Sequence, residues 1–430
     1  MATEAGRMLQ GPQPIMRFTG YRCSICGEQY GPAESLNVCL KDGGNLDMLP
    51  DLASIRRLSS PEQISASSDR SMWRYLPLLP VDDPGYPNTA LRSVGWTPLL
   101  RAERLGADLG LGELWLKDDG RNPTASFKDR ASAVVVARAR EIGAETVITA
   151  STGNAGAALA GMATAVNLPA VILAPRTAPP AKVAQLLIFG ARVILVEGSY
   201  DEAFDLTLEA AQAFGWYCRN TGYNPFTAEG KKTAAFEICE QLTLGSSKSS
   251  WAAPDAVFVS VGDGNILTGL HKGFKDLFEL GWIERIPRLY GVQSSGSAAV
   301  ANAFRAGSSS IQPVKANTLA DSIAVDLPRD GIRALRAARE TGGAILTVED
   351  HAILDAIRTL GQAAVFAEPA AAASYAGVVQ GVEEGLIGSA DQVVAVITGS
   401  GLKDVSAALR AAGSPVVIEP TLEALKAALG

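Results

Sequence analysis

Lys128 stands in the run Asn122-Pro123-Thr124-Ala125-Ser126-Phe127-Lys128-Asp129-Arg130, a turn feeding a helical pattern. The N-terminal end of a helix carries partial positive charge, so helix stability gives no reason to place a lysine there. The bland alternative is a solvated surface lysine, which spacing by itself favours. The chain has only two histidines, His271 and His351, so the Ser-His and Cys-His nucleophile systems have few possible bases. A lysine amine acts as nucleophile and base without either.

Three further segments have the composition of ligand loops. Ser151-Thr152-Gly153-Asn154-Ala155-Gly156 offers hydroxyls and backbone N–H groups suited to a carboxylate, and Gly262-Asp263-Gly264-Asn265 is a glycine turn suited to a phosphate monoester. Thr398-Gly399-Ser400-Gly401-Leu402-Lys403-Asp404 is the third. Taken singly, such turns are mostly structural; their joint presence carries the weight. Gly262, Gly264 and Gly269 give G-x-G-x-x-x-x-G, which is not the dinucleotide fingerprint. Gly230-Lys231-Lys232-Thr233 ends like a phosphate-binding loop, but Pro225 stands where the first glycine belongs, so a Walker-type NTPase is disfavoured.

These segments must be positioned by elements. Short β-branched runs at Thr146–Thr149, Ala170–Leu173, Val193–Val196, Val257–Val261 and Val393–Ile397 alternate with Ala-rich helical stretches at 201–214, 265–278, 330–340 and 350–362. That alternation predicts an α/β fold, a mostly parallel sheet covered by helices on both faces. Each of the three loops then falls after a strand and before a helix, where open α/β sheets bind ligands. At 430 residues the chain exceeds a single core, so more than one domain is expected.

The formal charge of −7, with basic residues scattered, excludes a broad positive field for nucleic acid. The longest uncharged stretch, Thr146 to Pro175, is broken by Ser151, Thr152, Asn154 and Asn167 and reads as strand, loop, helix and strand instead of a membrane span. No apolar leader opens the sequence and five cysteines suggest no disulfide framework, so a cytoplasmic protein is expected.

Residues 1 to about 15 read as a flexible tail. Cys23, Cys26, Cys39 and Asp42 follow in the spacing C-x2-C-x12-C-x2-D, that of a zinc ribbon with a carboxylate as fourth ligand. They are either a structural zinc site or the relic of one. Residues 51–94, rich in Ser, Pro, Asp and Arg, read as an extended arm.

The chain resembles the threonine synthase family of fold type II enzymes that use pyridoxal 5′-phosphate (PLP). The resemblance rests on N-P-T-A-S-F-K-D-R at 122–130, S-T-G-N-A-G at 151–156, N-P-x-x-x-E-G-x-K-T at 224–233, the glycine loop at 262–265 and T-G-S-G-L-K-D at 398–404, with Gly95-Trp96-Thr97-Pro98-Leu99 also matching. It implies two open, twisted, mostly parallel sheets: a large PLP-binding domain (95–129 and 223–430) and a small mobile domain (130–222). A tail and degenerate zinc-ribbon-like segment occupies 1–50. A homodimer acting on a small amino acid is implied too.

Residue by residue, the resemblance implies that Lys128 carries the cofactor as a Schiff base and shuttles protons. Asn154 would face the PLP 3′-oxygen, Gly262, Asp263, Gly264 and Asn265 would form the phosphate loop, and Thr398 would meet the pyridine nitrogen. Ser151 and Thr152 would take the substrate carboxylate, with Asn220, Thr221, Thr227 and Lys231 in the substrate site. The implied reaction converts O-phosphohomoserine and water to threonine and phosphate. Departures concern the substrate. Thr227 replaces an arginine that clamps the substrate phosphate in the family, and Lys231 or Arg219 are the cations expected to compensate. Ala125 replaces a glycine, and Asp263 puts a carboxylate where a phosphate is expected, so it should point away. The alternative that Thr227 raises is β-elimination or β-replacement on serine, threonine, O-phosphoserine or a diamino acid, as in a dehydratase, ammonia-lyase or cysteate-synthase-like enzyme.

Overall fold

The computed structural model describes residues 17–34, 37–244 and 251–429, so the tail expected before about residue 15 lies outside the described residues. Three short antiparallel strands come first, β1 (Phe18–Cys23), β2 (Gln29–Tyr30) and β3 (Leu46–Pro50), in the order β2-β1-β3. They dock on the helix Gly331–Glu340: Arg333 pairs with Asp47 at 2.8 Å, and Asn45 Nδ2 donates to Asp330 Oδ1 at 2.9 Å.

Residues 51–94 run over the body of the same chain. The expectation there is an extended arm; the segment instead contains short helices such as Leu52–Leu58 and Pro61–Ser65, each capped by the side chain before it, Asp51 and Ser60. Helices of one or two turns show no periodicity in sequence. Their apolar residues Ile55, Ile64, Tyr75 and Leu78 nonetheless join the main core.

The strands β4 (Leu99–Arg101) and β5 (Glu113–Asp118) begin the large sheet. The chain then leaves it to build a four-stranded parallel sheet from β6 (Val147–Ala150), β7 (Ala170–Pro175), β8 (Arg192–Val196) and β9 (Tyr217–Cys218), in the order β8-β7-β6-β9. It returns with β10 (Ala256–Ser260), β11 (Arg288–Ser294), β12 (Ala344–Val348) and β13 (Gln392–Ile397). The six-stranded order is β12-β11-β10-β13-β5-β4, parallel except for the β4–β5 pair. All five residues of β10 are buried, as a strand covered on both faces requires. The five β-branched runs thus became strands within a residue or two, and the four helical stretches became helices with similar bounds.

Parallel strands end on the same edge, so β5, β6, β9, β10 and β13 deliver their following loops to one cleft between the two sheets. Those loops contain every sequence-predicted cofactor residue.

Candidate active site

Lys128 opens the helix Lys128–Glu141 and is held from both sides. Just before it, the Phe127 N–H donates to the Thr398 carbonyl at 2.8 Å, and the Ser400 N–H donates to the Ala125 carbonyl at 3.1 Å. Just after it, the Asp129 carboxylate accepts the Thr124 N–H at 2.7 Å. Arg130, fully buried, pairs with Asp119 and Glu237, each at 2.6 Å. Lys117 also meets Glu237 at 2.6 Å, so the ionic cluster fastens the helix start to β5. The motif around Lys128 is therefore a clamp in which Thr124, Asp129 and Arg130 are engaged in placing one amine.

That amine lines two cavities that share Asn154, Thr221 and Asp263 as well. The inner one, about 50 Å³, is lined by Lys128, Asn154, Thr221, Lys231, Gly262 to Asn265, Glu368 and Thr398. Gly264, with φ of +93°, ends the turn that starts the helix Asn265–Leu280, and a Cβ there would sit 2.8 Å from the Asp330 carbonyl. Only glycine fits that left-handed, crowded position. The first N–H groups of this helix have no intrahelical acceptor and face the turn, which makes an anion cradle. Lys231 Nζ donates to Asn265 Oδ1, while Asn265 Nδ2 donates to Asp330 Oδ2 at 2.6 Å. Burial holds the Lys231 amine well below the usual lysine range, with Lys128 and Arg219 adding to the effect. Asp263 turns Oδ1 to the Arg329 N–H at 3.2 Å, and burial raises its carboxyl.

The outer cavity, about 350 Å³, is lined by Lys128, the loop Ser151 to Asn154, Tyr200, Arg219, Thr221, Asp263 and the segment Asp321 to Val325. Burial lowers the Lys128 amine to about 8, and the Arg219 guanidinium pushes in the same direction, against the opposing pull of Glu368 and Asp263. The Asn154 amide donates to Glu368 Oε1 at 2.8 Å, and burial raises the Glu368 carboxyl.

The structure thus gathers Lys128, Asn154, Gly262, Asp263, Gly264, Asn265, Thr398, Ser151, Thr152, Thr221 and Lys231 around the two cavities. Asn220 and Thr227 are not among the residues lining them. Asn220 Oδ1 accepts from Thr149 Oγ1 and from the Ala150 N–H, securing the end of β6, and Thr227 turns its hydroxyl to the Asn224 carbonyl at 2.7 Å. Glu368, Tyr200 and the Asp321–Val325 segment escaped sequence reasoning. Glu368 precedes a proline that starts the helix Pro369–Glu383, a capping pattern that marks a helix start and nothing more.

Cys23, Cys26, Cys39 and Asp42 present ligand atoms within 4.8 Å of one another. Cys26 Sγ and Cys39 Sγ are 3.7 Å apart, and Cys23 Sγ lies 3.3 Å from Asp42 Oδ1. A tetrahedral zinc–thiolate site has sulfur–sulfur edges of about 3.8 Å, since each Zn–S bond is about 2.3 Å.

The donor set of the main site fits PLP: a lysine amine of lowered basicity, a glycine cradle at a helix start with a buried lysine beside it, and a hydroxyl at the end of β13. The fold and site define a pyridoxal-phosphate-dependent enzyme of fold type II, and a family model described as "Pyridoxal-phosphate dependent enzyme" matches residues 90–399. The fold resembles that of the processed form of threonine deaminase isoform 2 from Solanum lycopersicum, with a TM-score of 0.61 and 25% identity, covering 74% of this chain and 87% of that one. Threonine synthase of Methanocaldococcus jannaschii is 38% identical over 408 residues, 94% of this chain and 98% of that protein. Threonine synthase of Methanosarcina acetivorans is 35% identical over 411 residues, 95% of this chain and 98% of that protein. The chain belongs to the threonine synthase family.

Proposed function

We propose that the chain is a PLP-dependent carbon–oxygen lyase that converts O-phosphohomoserine and water to threonine and phosphate. The observation that carries this reading is the Lys128 amine, which lines cavities shared with the Ser151–Asn154 loop and the glycine turn Gly262–Asn265 and has its basicity lowered to about 8. When bound, PLP supplies the electron sink that stabilises negative charge on the substrate carbons. Lys128 Nζ takes the proton from the substrate Cα and assists proton movement at Cβ. Phosphate leaves from Cγ and water adds at Cβ, so one water enters for each phosphate released.

The other residues bind and orient. Ser151 and Thr152, ahead of the helix Asn154–Thr164, hold the substrate carboxylate. Asn154, steadied by Glu368, would face the cofactor's 3′-oxygen, and the Thr398 hydroxyl would meet the ring nitrogen. Gly262 to Asn265 and Lys231 hold the cofactor phosphate. Thr221 meets the substrate side chain; Asn220 and Thr227 support that wall from behind. Residues 130–222 act as the mobile domain: Lys182 pairs with Asp321 and Arg329 with Asp201 across the cleft mouth, contacts that closure would form and opening would break.

The reading includes a homodimer in the cytoplasm. Five free cysteines suit a reducing compartment, and exposed Leu402, Val405, Leu409, Val416 and Val417 supply an apolar face for a second copy. Among the described residues no helix is long and apolar enough to cross a membrane. Cys23, Cys26, Cys39 and Asp42 take one structural zinc ion, an assignment supported by their clustering within 4.8 Å and by the 3.7 Å Cys26–Cys39 sulfur separation.

The test is a product assay on PLP-loaded protein with O-phosphohomoserine, O-phosphoserine, serine, threonine and a diamino acid in parallel. Threonine and phosphate in equal amounts from the first substrate are expected. Phosphate release without threonine, or turnover confined to the other substrates, overturns the reading in favour of β-elimination or β-replacement.

A further inference from the structure

Two arginines of this chain are fully buried near Lys128, and they differ in one respect. Arg130 has two carboxylate partners, Asp119 and Glu237. Arg219 has none among the described residues: Nη1 donates to Thr221 Oγ1 at 2.7 Å, Nε donates to Ser132 Oγ at 3.3 Å, and Nη2 has no partner at all. A buried guanidinium without an anion is costly, because it has lost its hydration and gained no counter-charge. Burial accordingly pulls Arg219 down to about 10.

The position of this group says what would satisfy it. Arg219 follows β9 directly and lines the outer cavity with Lys128, Tyr200 and Thr221, a cavity that also contains the Ser151 to Asn154 loop. Lys231, the other buried basic group of the site, lies in the inner cavity and is tied to Asn265 of the glycine cradle. The two basic groups therefore serve different anions. Lys231 belongs with a phosphate seated on the helix Asn265–Leu280, and Arg219 belongs with an anion entering the outer cavity. Thr227 offers no replacement, since its hydroxyl is bound to the Asn224 carbonyl.

We infer that Arg219 is the residue that recognises a phosphate monoester at the far end of the amino-acid substrate, doing from the end of β9 what an arginine at position 227 cannot do here. The inference rests on the function proposed above and names the group in that site that selects the substrate. A guanidinium fork matches two oxygens of a phosphate dianion, and Thr221 holds the fork in place through Nη1.

The experiment uses PLP-loaded wild type, Arg219→Gln and Arg219→Lys, titrated with an amino acid carrying a terminal phosphonate and with L-norvaline, which has no distal charge. Binding is read from the cofactor absorbance. Loss of a charged partner at a buried pair predicts about 100-fold weaker phosphonate binding in Arg219→Gln, with about 10-fold weakening in Arg219→Lys, which keeps charge but loses the fork. Norvaline affinity should stay within about twofold of wild type, the difference a lost distal contact allows. Equal weakening of both ligands, or unchanged phosphonate binding, overturns the inference. Should Arg219→Gln not fold, the Arg219→Lys titration decides alone. Threonine formation by the wild type is scored separately: if it fails while phosphonate binding still depends on Arg219, the reaction assignment falls and the clamp stands. If threonine forms and the variant binds phosphonate normally, the clamp falls.

Discussion

Glu368 Oε1 accepts a 2.8 Å hydrogen bond from Asn154 Nδ2, joining the start of the helix Pro369–Glu383 to the start of the helix Asn154–Thr164. The same carboxylate is one of two anions that favour the charged form of Lys128. Replacing Glu368 with Gln keeps the shape and removes the charge, so the Lys128 amine should titrate below its present value of about 8. The pH midpoint for uptake of PLP, followed by absorbance, should move to lower pH. An unmoved midpoint would show that the two groups do not communicate.

Lys128 itself should leave a thermodynamic mark on the cofactor-free protein. Its folded value of about 8 lies below the ordinary 10.5, so the fold disfavours the charged amine. The cost is fully present below about pH 8 and fades as pH rises towards 10.5, where the unfolded chain also loses its proton. Lys128→Met should therefore stabilise the cofactor-free chain at pH 7 by on the order of 3 kcal/mol, and by almost nothing above pH 10.5. Melting curves of the two proteins at both pH values check this. A gain independent of pH would assign the effect to packing.

Ala125 adopts φ of +63°, the left-handed region that costs a side chain roughly 1–2 kcal/mol. The position is imposed by the pairing of this turn with the Thr398 loop, through the Ala125 carbonyl and the Ser400 N–H. Ala125→Gly should raise stability by about 0.5–1 kcal/mol, since relief of strain outweighs the added chain entropy. Denaturant unfolding with an unchanged slope would report it, and a loss of stability would contradict the strain.

The glycine at 399 makes the opposite case. A Cβ there would lie under 2.5 Å from Glu368 Oε1, so Gly399→Ala must push the carboxylate away from Asn154. Loss of one charge-assisted hydrogen bond predicts about 10-fold weaker PLP retention. Dialysis against cofactor-free buffer measures it, and retention equal to wild type would mean that the carboxylate moves without consequence.

How much of this was legible in the sequence follows the physics of burial. Strands covered on both faces need β-branched residues throughout, so β6, β7, β10 and β13 stood out as runs, as did the more exposed edge strand β8, and the loops after β6, β10 and β13 could be placed. Lys128 was legible because its neighbours form a motif, and the structure shows those neighbours engaged in holding it. Glu368 was not, since it is separated from Asn154 by more than two hundred residues and meets it only through the meeting of two sheets. Thr227 shows a related limit. The resemblance implies a place in the substrate site, but a threonine inside a helix can turn its hydroxyl back to the preceding turn, and this one does.

The cysteine knuckle bears on the cofactor through a traceable chain. Asn45, three residues beyond Asp42, donates to Asp330 Oδ1 at 2.9 Å; Asp330 Oδ2 accepts from Asn265 Nδ2 at 2.6 Å; and Asn265 accepts from Lys231. The turn between Cys39 and Gly44 is held within the knuckle by the Cys39 N–H to Gly44 carbonyl bond of 2.9 Å, so an ion on Cys39 and Asp42 would stiffen the residue that starts this chain. Purified protein should contain one zinc per chain, because three thiolates and a carboxylate complete a tetrahedral shell. Stripping the metal with a chelator should lower the melting temperature and weaken PLP retention by about 10-fold, the loss typical when an outer-shell support is removed. The Asn45→Ala variant separates the two effects: it should keep its zinc yet show the weakened retention. If Asn45→Ala retains PLP like wild type while the stripped protein does not, the knuckle acts on the cofactor by some route other than Asp330.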